Sequence, residues 1–206
     1  MKYAAEKLAG LFFFLAASQF IVGMMVAETQ YPDYNTGQNY VSDLGNLTEP
    51  SAAVFNASII LLGLLLLTGV YFLQQAFDFK TLSILLILTA IGAIGVGVFT
   101  ENAVTAHPLV SLIAFLFGAL SSIASYKLLK QPFSIIAIIL GLISLTALGL
   151  FATKIYLGLG PGGMERMIAY PILLWGAGFG GYLLSSPEKP YAKKPPEALL
   201  LDQNQI

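Results

Sequence analysis

The sequence predicts an all-α, polytopic integral membrane protein with six transmembrane helices and with N- and C-termini in the cytoplasm. Of its 206 residues, 57% are hydrophobic and 10% are charged, whereas soluble domains average roughly 45–50% and 25%. The formal net charge of −1 argues against nucleic acid as a partner, because binding phosphates requires a basic face. The chain has no cysteine, which excludes disulfides, thiolate metal sites and a cysteine nucleophile.

Six long apolar runs predict the helices, since each can cross the roughly 30 Å hydrocarbon core of a bilayer. The predicted spans are Leu8–Ala27, Ser51–Ala76, Thr81–Thr100, Pro108–Tyr126, Pro132–Thr153 and Met167–Ser185. The first run is longer than the apolar region of a signal peptide, about 7–15 residues, and ends without a good cleavage site, which predicts a retained helix. These spans form one domain, residues 1–186, with a long outer loop at 28–50. Residues 187–206, rich in Pro and Lys, predict a disordered tail.

The basic residues predict the orientation. With six spans, the termini and the two hairpin turns share one side, which carries eight of the ten basic residues. These eight are Lys2, Lys7, Lys80, Lys127, Lys130, Lys189, Lys193 and Lys194. The positive-inside rule places that side in the cytoplasm of a multi-pass cell-membrane protein.

Ionisable residues are absent from the middle of all six runs. Pumps and proton relays place such groups at mid-bilayer, so the chemistry of this chain is expected at the outer ends of the helices. Gln19 is the most central strongly polar residue. An interhelical hydrogen bond is the first interpretation of Gln19, and a substrate contact is the second.

The outer loop contains a segment, Ser42-Asp43-Leu44-Gly45, that is expected to form a buried turn with one carboxylate facing the bundle. The last helix opens after Gly160-Pro161-Gly162-Gly163, and this turn is followed by Glu165 and Arg166. A glycine-rich turn beside an arginine at a helix N-terminus can bind an anion. The alternative is an ordinary turn with an acid that complements the helix dipole.

His107 is the only histidine, so a two-histidine haem site or a zinc site with two or three histidines is excluded. A mixed metal site built from Asp43, Glu101 and His107 stays open, as does a helix-capping role for His107. No cofactor is predicted.

Several of these motifs carry a family resemblance. They are Tyr31-Pro32-x-Tyr34, Asn39-Tyr40-Val41-Ser42-Asp43-Leu44-Gly45, Asn56, Gly97-Val98-Phe99 with His107, and Gly163-Met164-Glu165-Arg166 with Trp175. Together they resemble the six-helix membrane family known as domain of unknown function 998. The resemblance implies a bacterial or archaeal membrane protein and groups Ser42, Asp43, His107, Glu165 and Arg166. It implies no activity.

Two classes of function follow from the outer polar residues. In the first, the protein binds or processes a lipid or small anionic headgroup, with Asp43, His107 and Glu101 as candidate acid/base groups. Ser42, Asn56, Glu165 and Arg166 would then contact the ligand. In the second, a non-catalytic accessory subunit or small-solute conduit uses them only to lock its loops, through an Asp43–Arg166 pair above all. The expected partners are membrane lipids, with another membrane protein or a second copy of the chain as further candidates.

Overall fold

A computed structural model describes residues 2–185, which form six long α-helices and no β-strand. The helices are α1 (Lys2–Gln30), α2 (Ala52–Ala76), α3 (Lys80–Val98), α4 (Ala106–Ala124), α5 (Phe133–Ala152) and α6 (Gly160–Leu184). All six are long and apolar enough to cross a membrane, which confirms the predicted all-α class and number of spans. The cytoplasmic placement of the termini stays a prediction, and the predicted tail at 187–206 lies outside the described residues.

The helices form a closed ring. Each packs against its neighbours in sequence, α1 also packs against α6, and α6 touches α4 across the ring. Because consecutive helices run in opposite directions, the connections 31–51, 99–105 and 153–159 meet at one end, named here the loop end. Direct contacts join these connections, since the backbone N–H of Leu47 donates to Oδ1 of Asn102 at 3.0 Å.

Small and polar side chains join α1 to its neighbours. A Cβ at Gly180 of α6 would lie 2.4 Å from the backbone nitrogen of Phe14, so these two helices pack at a distance that only glycine permits. On the other side of α1, Nε2 of Gln19 donates to the carbonyl of Ser58 on α2 at 3.0 Å. This contact agrees with the interpretation of Gln19 as an interhelical hydrogen-bond donor.

Among the helix ends that differ from the sequence prediction, two shape the loop end. Helix α1 continues to Gln30 instead of ending at Ala27, so that Glu28 lies on its last turn. Helix α6 begins at Gly160 instead of Met167. The predicted glycine-rich turn is therefore the first turn of a helix, and Pro161 is tolerated there because N–H groups of the first turn have no helical partner.

Candidate functional site

The loop end is held together by Arg166, which lies on the second turn of α6 and is 8% exposed. Its Nη2 donates to Oε1 of Glu28 at 2.7 Å and to the hydroxyl of Tyr34 at 2.8 Å. Its Nη1 donates to backbone carbonyls of the outer loop and of its own helix, those of Thr36, Asn39 and Gly162. The guanidinium therefore fastens the outer loop and α1 to α6.

Tyr34 is the second member of this cluster. Its hydroxyl accepts from Arg166 and donates to the carbonyl of Tyr40 at 2.8 Å, and its ring lies 5.4 Å from the guanidinium carbon. Burial, only partly offset by Arg166, raises the pKa of Tyr34 to about 12. The phenol therefore stays protonated and neutral across the physiological range, which lets it act as donor and acceptor at once.

Glu165 binds N–H groups of the same loop, whereas Arg166 binds its carbonyl groups. Its Oε2 accepts the backbone N–H of Val41 at 2.5 Å, and the N–H of Ser42 also faces this carboxylate. Both N–H groups open the short 3-10 turn Ser42–Gly45, where helical geometry leaves them without backbone partners. Adjacent side chains of α6 thus bind the N–H groups and the carbonyl groups of one loop.

The glycine-rich start of α6 is also occupied by the loop. The N–H of Gly162 donates to the carbonyl of Gly37 at 3.0 Å. A Cβ at Gly162 would lie 1.9 Å from the carbonyl oxygen of Asn39. These contacts agree with the interpretation of the glycines as a packing turn, because the chain itself supplies the acceptor that an anion would otherwise provide.

The expected ion pair between Asp43 and Arg166 was wrong. Arg166 pairs with Glu28, whereas Oδ2 of Asp43 accepts the backbone N–H of Tyr40 at 2.7 Å and Nδ2 of Asn39 at 3.4 Å. The physical reason is the longer α1, which brings a carboxylate to the guanidinium. Asp43 instead caps its own turn, as aspartate commonly does.

Asp43 also lies beside Glu101. Burial, and then a hydrogen bond and charge repulsion from Asp43, raise the pKa of Glu101 to about 8, with a smaller contribution from Glu165. Glu101 is consequently protonated at neutral pH and can donate its proton to Asp43. The second oxygen of Glu101, Oε2, is buried and has no hydrogen-bond partner within residues 2–185.

His107 lies near the start of α4 and is 7% exposed. Its Nδ1 lies 2.8 Å from the carbonyl oxygen of Phe99. Because a carbonyl can only accept, Nδ1 must carry the hydrogen, and in the neutral ring Nε2 is then an acceptor. No hydrogen bond to Nε2 is present in the part of the chain that the structure describes.

A cavity of about 370 Å³ opens between α4 and α5 and brings several of these groups together. Its polar end contains Tyr40, Ser42, Glu101, His107 and Glu165. Its other walls are apolar or bear one hydroxyl: Pro108, Ser111, Leu112, Phe115, Leu148, Phe151 and Ala152. The mouth lies on the surface of the bundle, where Leu112 is 46% exposed.

The structure therefore gathers four of the seven predicted site residues around one cavity, and the other three do not line it. Arg166 points into the loop cluster. Asp43 contacts the cavity only through Glu101. Asn56 lies under the 3-10 turn, where its Nδ2 donates to the carbonyl of Gly45 at 2.9 Å. Their assignment as catalytic or ligand-binding residues stays a prediction.

The proposed mixed metal site has no support in the described geometry. Within residues 2–185, no group of three or more His, Asp or Glu side chains is arranged to hold a metal ion. Asp43, Glu101 and His107 thus do not converge as three ligands of one ion. That the protein binds no cofactor stays a prediction.

Sequence reasoning missed Glu28 and Tyr40 as parts of this end of the molecule. A charged residue directly after an apolar run gave the available signal for Glu28, since one more helical turn places it at the membrane surface. Tyr40 belonged to a quoted motif, but its position on the cavity wall depends on the fold of the loop.

Comparison with known proteins gives one match. A family model described as "Protein of unknown function (DUF998)" matches residues 14–181, in agreement with the resemblance carried by the motifs. No curated protein matches this chain, and no solved structure does.

Proposed function

This chain belongs to the protein family described as DUF998, whose description carries no activity, and from its own geometry we propose that it binds a membrane amphiphile between α4 and α5. The headgroup would occupy the polar end of the cavity, at the loop end of the bundle. The acyl chain would follow the apolar walls toward the middle of the bilayer. By the positive-inside prediction, this is the outer leaflet.

One observation carries the proposal: the polarity of the cavity changes along its length. Glu101 and His107 line one end, whereas Phe115 and Leu148 line the other. Phe115 follows His107 by eight residues on α4, which is about 12 Å along a helix. A polar end and an apolar end at that spacing, open to the bilayer, match the shape of a lipid. The volume lies within the range of about 300–1,000 Å³ that is typical of ligand pockets.

The cavity does not favour the small anionic headgroup that the sequence suggested as a ligand. Both terminal nitrogens of Arg166 donate to acceptors within the protein, and no lysine or arginine lines the cavity. An anion placed there would lie among the carboxyl groups of Glu101 and Glu165 without a cation to bind it.

A non-catalytic accessory role is the second candidate, and the contacts of Arg166 and Glu165 favour it. These two side chains bind only the protein's own groups, so they stabilise the loop whatever else the protein does. In that case the loop surface, and not the cavity, would contact another membrane protein or a second copy of the chain.

Filling the cavity tests the proposal. Leu112→Trp introduces an indole at the mouth, and Leu109→Trp introduces the same group on the same helix outside the lining, at a residue that is 59% exposed. The delipidated full chain is offered phospholipids of one acyl composition, and native mass spectrometry counts the bound molecules. We expect Leu112→Trp to weaken retention at least about tenfold, which is a change of about 1.4 kcal/mol, and Leu109→Trp to leave it unchanged. Equal retention by both variants would overturn the proposal.

A further inference from the structure

The free polar atoms in the cavity are acceptors or hydroxyls, and this restricts the headgroup that fits. His107 is nine-tenths buried and its Nδ1 is committed to Phe99, so that Nε2 in the neutral ring can only accept. Glu101 lines the cavity, and its buried oxygen Oε2 has no partner in the described chain. Ser42 adds a hydroxyl, which adapts to either role, and the hydroxyl of Tyr40 is already hydrogen-bonded to Tyr156.

The carboxyl groups around the cavity have no cation beside them in its lining. Glu165 and Glu101 line it and Asp43 is hydrogen-bonded to Glu101, while Arg166, next to Glu165 in sequence, is already paired with Glu28. Buried acceptors without donors are costly. The proton that Glu101 shares with Asp43 in the free protein would be released when a charged donor binds, because a carboxylate accepts most strongly from such a donor. The complementary ligand is therefore both a cation and a donor of several N–H groups.

Resting on the proposed function, we propose that this cavity selects lipids whose headgroup ends in a primary ammonium, held by Glu101 and by Nε2 of His107. A primary ammonium supplies three donors. A quaternary ammonium carries the same charge with no N–H group, and a glycerol headgroup supplies hydroxyl donors with no positive charge. A comparison of the three headgroups therefore separates the effect of positive charge on binding from the effect of N–H donors.

The experiment measures competition among lipids of identical acyl chains on the purified full chain. Phosphatidylethanolamine, phosphatidylcholine and phosphatidylglycerol are each titrated, and bound lipid is counted by native mass spectrometry. Because a charge-assisted hydrogen bond contributes more than a neutral one, we expect phosphatidylethanolamine to bind at least about tenfold more tightly than either competitor. Free ethanolamine forms a fourth titration. Ethanolamine as tight as the lipid would mean that the site takes a soluble amine, which would overturn the lipid assignment.

Matched variants connect the preference to the named groups. Glu101→Gln keeps the shape but cannot release a proton and become a carboxylate when the ammonium binds, so the preference for phosphatidylethanolamine should fall at least about fivefold while the other two lipids bind as before. His107→Phe keeps an aromatic ring and removes Nε2, and it should also lower the preference for phosphatidylethanolamine. Asp33→Asn removes a carboxylate from the exposed part of the same loop and should change nothing.

Failure of this inference can be distinguished from failure of the proposed function. If the three lipids bind equally, and Leu112→Trp weakens all of them, the cavity binds lipid without selecting ammonium and only the inference falls. If Leu112→Trp has no effect on any lipid, the proposed function falls. If Glu101→Gln and Asp33→Asn lower the preference alike, general surface charge causes it and the inference is wrong.

Discussion

Arg166 and Glu28 form an ion pair, 2.7 Å between Nη2 and Oε1, that joins the second turn of α6 to the last turn of α1. The side chains are 9% and 24% exposed, so the pair is shielded from much of the solvent screening that weakens surface pairs. It closes the ring of helices at the loop end, where Tyr34 and the backbone of the outer loop complete the coordination of the guanidinium.

The first prediction concerns this pair. Arg166→Gln leaves Glu28 without its partner and frees several loop carbonyls, and we expect a loss of about 3–5 kcal/mol in unfolding free energy. Glu28→Gln should cost less, about 1–3 kcal/mol, because its carboxylate is partly exposed. The double variant should lose less than the sum of the two.

The measurement is reversible unfolding in mixed micelles, and Asp43→Asn supplies the control. Combined with Arg166→Gln, Asp43→Asn should show much weaker coupling than Glu28→Gln does, because Asp43 makes no ion pair with Arg166 and shares with it only the contacts to Asn39. A strong coupling of Arg166 to Asp43, together with none to Glu28, would restore the pairing that the sequence suggested and contradict the observed one.

The second prediction concerns the contact between the outer loop and α6. Gly162→Ala places a methyl group 1.9 Å from the carbonyl oxygen of Asn39, so the loop must move away. We expect a loss of about 1–3 kcal/mol in unfolding free energy and faster proteolysis between residues 33 and 40. Gly181→Ala, in the same helix with no atom within 4 Å of its Cβ, should be neutral or stabilising. Equal effects would show that the two glycines matter only through helix propensity.

The transmembrane helices could be predicted from the sequence because a bilayer requires one property above all, a sufficient apolar length. Their ends could not be predicted to the residue. Nothing in the pattern requires α1 to continue past Ala27, and the extension to Gln30 depends on contacts of the loop with α6. Because Glu28 lies within this extension, Glu28 and not Asp43 pairs with Arg166.

The candidate site, like the helices, could be predicted from the sequence only in part. The sequence indicated that Ser42, Glu101, His107 and Glu165 belong to one end of the bundle, because topology alone brings helix ends together. It could not indicate that Arg166 would turn inward, since the direction of that side chain depends on carbonyls of Thr36 and Asn39 that are presented by an irregular loop. Nor could it place the cavity, whose lining combines side chains of α4, α5 and the loop end.

The third prediction concerns orientation. Since the chain has no cysteine, single cysteines at Asn35 in the outer loop and at Gln131 between α4 and α5 report the two ends cleanly. Both side chains are exposed. In intact cells an impermeant thiol reagent should label only the cysteine at position 35, as the positive-inside rule predicts. Labelling of position 131 alone would invert the predicted orientation and would place the cavity in the cytoplasmic leaflet.

The last prediction is a dependence of stability on pH that originates in Glu101. Its pKa is raised from 4.5 to about 8, first by burial and then by Asp43, so the folded protein holds this proton more tightly than the unfolded chain does. The stabilisation is therefore fully present below about pH 4.5 and is lost as the pH rises toward about 8. Glu165, His107 and Tyr40 also line the cavity, so a comparison of variants is needed to assign the effect.

Glu101→Gln provides that comparison, because glutamine stays neutral across the range and can still donate to Asp43. Between pH 5 and pH 8 the unfolding free energy of the unmodified protein should fall relative to that of Glu101→Gln, and the two curves should run parallel above about pH 9. Asp33→Asn should follow the unmodified protein throughout, since Asp33 is exposed. Parallel curves for the unmodified protein and Glu101→Gln from pH 5 onward would mean that Glu101 ionises normally. Asp43 and Glu101 would then not share a proton, and the acidic end of the cavity would carry more negative charge at neutral pH than the structure indicates.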